Sequence, residues 1–230
     1  MEKLTLNLIK RRIKYEKIFK GSLLSLFLLT LIFIPFKSQA LETISSNDVS
    51  YNKATCDLRM LQRKLWIDHV SWTRNTIISD LSSLEDTGPV LERLLKNQDD
   101  TGNSIKPYYG EEAGNKLASL LREHIELAVK VTDSAKSGNK TDLEKYNKLW
   151  YENADKIAEF LSSANPNYSQ KVLKDMLHKH LQYVTDQVVA RLNKDWNADI
   201  KAYNKGEDHM IEFADIITQG IIKQFPQKFK

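Results

Sequence analysis

Cysteine is nearly absent: Cys56 is the only one in 230 residues, so no intrachain disulfide can form and a packed core must hold the fold. Its place beyond the N-terminal apolar run, after Lys53-Ala54-Thr55, also rules out a lipoprotein cysteine, and the thiol reads as half-buried at a helix start. Eight glycines and five prolines are few for this length. They fall in clusters between long helix-patterned runs, and strand-period alternation, internal repeats and low-complexity tracts are missing. Recognised catalytic and cofactor signatures are missing too. There is no Cys-x-x-Cys-His for haem, no His-Glu-x-x-His for a zinc hydrolase, no nucleophile elbow, no phosphate loop and no Rossmann glycine pattern. A di-iron bundle would need inward Glu-x-x-His repeats, and the nearest approach, Asp175-x-x-His178, lies on an outward face.

Positive charge is also lacking once its location is considered. Eight of the 34 Lys and Arg and two of the 30 Asp and Glu fall in residues 1–40, which leaves 26 against 28, a net charge of −2, for the remainder. That remainder has no basic stripe and no interleaved aromatic platform, so a nucleic-acid partner is not expected. The basic residues instead precede the apolar run SLLSLFLLTLIFIPF (Ser22–Phe36), and Ser38-Gln39-Ala40 follows with small residues where a signal peptidase reads. Residues 1–40 are therefore read as an export signal. The run is short for a membrane span, which needs roughly 20 residues, so membrane attachment would come only through this segment if it stays uncleaved. Residues 41–55 read as a flexible leader and 56–225 as a single helical domain, located outside the cytoplasm.

Six helices are expected: Cys56–Leu84, Val90–Thr101, Glu111–Lys136, Asp142–Ser163, a run from Ser169 to about Asn204, and Glu207–Lys223. Gly102–Gly110, containing Pro107, is expected as a loop. The fifth run, straight, would reach about 54 Å at 1.5 Å per residue. A kink or break is therefore expected near Asn193-Lys194-Asp195. The fold class is all-α, an antiparallel bundle.

Polar residues interrupt four of the apolar stripes. Leu58, Leu61, Leu65, His69, Trp72 and Thr76 share one helix face, and His124 interrupts Leu117, Leu120, Leu121 and Leu127. Asn153 sits among Tyr146, Trp150 and Ile157, and His180 among Leu173, Leu177 and Val184. With short connections, all four fall between about 15 and 19 Å from one end of the bundle. A buried imidazole needs a partner for each nitrogen. Three neutral histidines with Asn153 suit a divalent ion such as Zn²⁺ or Cu²⁺, or a small ligand. The same layer could instead only fix helix register in a structural or protein-interaction module. His209 is a weaker ligand candidate that joins the layer only if the chain folds back after the fifth run. Asp195 and Asp199, one turn apart, could pair as catalytic carboxylates, although such pairs more often form a solvated face. No catalytic residue is otherwise indicated.

The blocks LWIDHVSWTRN, IKPYYGEEAGN and FLSSANPN resemble an uncharacterised family of exported bacterial helical proteins. The resemblance spans most of residues 60–228. It implies an exported helical domain and carries no activity.

Overall fold

The computed structural model describes residues 52–230; the expected signal segment and most of the leader lie outside the described residues. The described chain is all-α. Five helices follow in order: α1 (Lys53–Leu81), α2 (Thr87–Ser137), α3 (Lys140–Ala164), α4 (Gln170–Leu192) and α5 (Trp196–Gln224), then a 3₁₀ turn, Pro226–Phe229. Side-chain caps start four of them by satisfying an orphan backbone N–H. Asn52 accepts from Ala54 N, Asn139 from Asp142 N, Ser169 from Val172 N and Asp195 from Ala198 N. Gly138, at φ 71°, closes α2 in the left-handed conformation that glycine adopts without strain.

The helices differ from those expected in two places, of which only the first lowers the count from six to five. Residues 102–109 are helical, not a loop, and the reversal is confined to Gly110 at φ 85°, ψ 171°, a conformation essentially restricted to glycine. Pro107 lies in the last turn before the reversal and removes one backbone bond there, the one to the Asn103 carbonyl. The two arms of α2 pack so closely that a Cβ on Gly102 would lie 2.5 Å from the Gly114 carbonyl oxygen. Arg122 on the second arm donates to Asp99 and to the Leu95 carbonyl on the first. The second difference is at the C-terminal end. The chain breaks at Asn193–Asp195, as expected, with Lys194 at φ 57°, but α5 then runs on through 204–207, where a helix boundary was expected.

One apolar core joins the helices, and Leu173, Phe213, Ile217, Ile221 and Phe229 are among its buried members. Tyr108 stacks on Phe229 and Tyr109 meets Phe225 edge-on, so the paired tyrosines pack against the C-terminal aromatics. No described helix is long and apolar enough to cross a membrane.

Candidate functional site

The helices bring His69, His124, Asn153 and His180 together at mid-height, each no more than 3% exposed. His69 and His180 face each other Nε2 to Nε2 at 3.3 Å, and the His124 ring stacks 6.3 Å from that of His180. The partners determine where the protons are. Gln98 uses its amide nitrogen on the Leu94 carbonyl and on Asn97, so its oxygen can only accept, from His69 Nδ1–H at 3.3 Å. His69 Nε2 is then a bare lone pair that accepts from His180 Nε2–H. The indole of Trp150 can only donate, which makes His124 Nε2 an acceptor at 3.1 Å. His124 Nδ1–H therefore donates to Asn153 Oδ1 at 2.8 Å, while Asn153 Nδ2 donates to the Leu120 carbonyl.

One nitrogen, His180 Nδ1, is left without a protein partner. It belongs to a side chain bordering a pore of about 10 Å³ that Thr73, whose hydroxyl also lacks a protein partner, lines too. Burial keeps the layer neutral. It pushes His69 down to about 3, helped by the neighbouring His124 and opposed by the bond to Gln98. His124 falls to about 4 for the same reason, against the opposing bond to Asn153. His180 is pushed well below 6.5 by burial and then by His69, His124 and His209.

His209 stays outside this chain of bonds. The turn at Asn193–Asp195 does fold α5 back onto α4, yet His209 Nε2 donates to the Met176 carbonyl at 2.8 Å and its ring packs edge-on against Tyr183. The carboxylate pair is overturned. Asp195 caps α5, while Asp199, its side chain 2% exposed, is clasped by Arg74 at 2.7 and 2.8 Å and by Arg191 at 3.0 Å. Two guanidinium groups thus occupy three of the roughly four lone-pair sites of Asp199 and fix it as an ion partner on the Arg74 and Arg191 side chains, not as the partner of Asp195. His178 pairs with Asp155 at 2.7 Å, at the surface. Gln98 and Trp150, the partners of His69 and His124, stand at inward helical spacing in the sequence, and that spacing is the one signal for them.

Beside the layer lies a half-open apolar pocket. The last turns of α2 and α4 and the first turns of α3 form this cleft of about 360 Å³, with Val131, Leu143, Val184 and Val188 in its wall and Trp150 in its lining. The threonines there return their hydroxyls to their own helices, Thr132 to the Ala128 carbonyl and Thr185 to that of Leu181, so the interior is apolar. Lys140, Glu144 and Asn147 stand at the rim. Trp150 thus links the two features, its ring face bordering the cavity and its N–H fastened to His124. Among the described residues no group of three His, Cys, Asp or Glu gathers around one point. No protein-family model, curated protein or solved structure matches the chain.

Proposed function

We propose that this is an exported helical-bundle protein that binds a small apolar ligand in the cavity beside the histidine layer, the layer serving as a rigid floor. The observation that carries the proposal is the cavity of about 360 Å³ with aliphatic walls, its Trp150 held by a buried hydrogen bond to His124. Its size falls in the usual range for small-molecule sites, which combine mostly apolar walls with a few polar groups. Three further elements belong to this proposal. Export is supported by the basic and apolar order of residues 1–36, and membership of the uncharacterised exported family by the sequence blocks. An antiparallel arrangement is supported by the brief connections 82–86, 138–139, 165–169 and 193–195 between helices that pack together.

The test titrates the chain from Leu41 onward with n-decanol, followed by calorimetry and thermal melting. Saturable binding is expected, with stabilisation of about 3 kcal/mol at a hundredfold excess over Kd. Val188→Phe and Ala135→Phe, which fill the cavity from two sides, should each abolish it in a folded protein. Decanol binding that ignores both fillings, or none that saturates, refutes the proposal.

A metal ion in the layer is a second reading, and one distance favours it. The 3.3 Å between His69 Nε2 and His180 Nε2 is also about the separation of two imidazoles ~2.0–2.1 Å from one tetrahedral zinc. A third imidazole would require His124 to give up Trp150. Elemental analysis separates the two: zinc or copper near one per chain, lost in His180→Leu, supports the ion, and a trace content removes it.

A further inference from the structure

On the other side of the second arm of α2 lies a separate cavity of about 180 Å³, between that arm, the first arm and α1. Ile77, Leu91, Leu94 and Ile125 make its walls apolar. Two of its lining residues carry a buried polar atom with no protein partner, Asp80 Oδ2 and Thr73 Oγ1, and Thr73 is only 7% exposed. The other threonines of the lining differ: Thr76, Thr87 and Thr132 all donate to carbonyls of nearby residues. Asp133 stands with Asp80 at the mouth, and among the described residues their one cation partner is Lys136, which donates to the carbonyl and, at 3.3 Å, to the carboxylate of Asp80. Two carboxylates against one ammonium leave an excess of one negative charge beside an apolar chamber. Burial and then the charge of Asp80 raise the pKa of Asp133, as expected for a carboxylate pair short of a counter-charge.

We propose that this cavity binds a compact apolar monoamine, its ammonium between Asp80 and Asp133 and its far end hydrogen-bonded to Thr73. Asp80 and Thr73 are seven residues apart on α1, about 10 Å along the axis. That spacing suits an arylalkylamine with a hydroxyl opposite the amine. The chamber shares Ala128, Thr132 and Val184 with the apolar cavity but not Val188, so the two sites stand or fall separately.

The experiment is calorimetry of the chain from Leu41 onward with three probes of one shape: tyramine, 2-phenylethylamine without the hydroxyl, and 3-(4-hydroxyphenyl)propionate with a carboxylate in place of the amine. Tyramine should fill one site, 2-phenylethylamine should bind about 3- to 10-fold more weakly, and the propionate should not bind. Asp80→Asn and Asp133→Asn should each weaken tyramine about tenfold or more, Asp133 being exposed enough for its variant to fold. Thr73→Val should make tyramine and 2-phenylethylamine equal, and Val188→Phe should change nothing. Equal binding of amine and carboxylate overturns the proposal. So does undiminished tyramine binding in Asp133→Asn, or no saturable tyramine binding to the folded chain.

Discussion

Acidification should unfold this protein through its histidine layer before its carboxylates titrate. In the unfolded chain His69, His124 and His180 titrate near 6.5. In the folded protein burial holds them at about 3, about 4 and well below 6.5. The folded state therefore binds fewer protons, and stability is lost as pH falls below 6.5, continuing until the folded values are reached. Each group contributes up to about 1.4 kcal/mol per pH unit, so three together give a slope of about 4 kcal/mol per unit between pH 6 and 5. From pH 7 to 5 the loss comes to about 6 kcal/mol, comparable with the roughly 5–15 kcal/mol total of an ordinary domain. The ion-paired carboxylates Asp155 and Asp215, held below their usual value, are lost only as pH falls past about 4, so the two windows separate. Urea unfolding at half-unit pH steps, followed by circular dichroism, measures the slope directly. His180→Leu provides the internal control. It strands His69 Nε2 at a cost of about 1–3 kcal/mol at pH 7, yet should reduce the slope by about a third. Stability that stays level from pH 7 to 5, or a variant with the wild-type slope, refutes the neutral, buried layer.

Three further substitutions probe the packing. Asp199→Asn should cost about 3–5 kcal/mol in chemical denaturation, since it leaves Arg74 and Arg191 with half a partner in a mostly dry site. Asp215→Asn, whose partner Arg63 is 44% exposed, should cost only about 0–1 kcal/mol, and equal losses would contradict this ranking. Gly220→Ala places a Cβ 1.9 Å from the Tyr168 ring, which is anchored through its hydroxyl to the Ile217 carbonyl at 2.6 Å. The crowding should cost about 1–3 kcal/mol, read as a lower melting temperature, and a neutral result would mean that the ring has room to move.

Several features were readable from local pattern. Helical spacing alone turned His69, His124, Asn153 and His180 inward, and the length of the run from Ser169 required a break near Asn193. Other readings failed where tertiary contact outweighed local preference. Glycine and proline in 102–110 suggest a loop, but the small Gly102 and Gly114 let two helical arms meet and so keep that stretch helical. Leu61, placed in the apolar stripe of α1, is 43% exposed, while Gln62 beside it is 1% exposed and donates to Ser104. Periodicity gives the existence of a stripe more reliably than its angle, because neighbours on several sides rotate the buried face.

From its residues alone this chain was bound to be helical, to bury imidazoles, and to do without disulfides, since those outcomes depend on composition and on a period of 3.6. Tertiary structure decided which nitrogen of each imidazole carries the proton, that Asp199 is clasped by two arginines and does not pair with Asp195, and that an apolar pocket opens beside the layer. Each of these depends on distances between segments far apart in sequence and on the volume left between them, and neither quantity is written in any local stretch of residues.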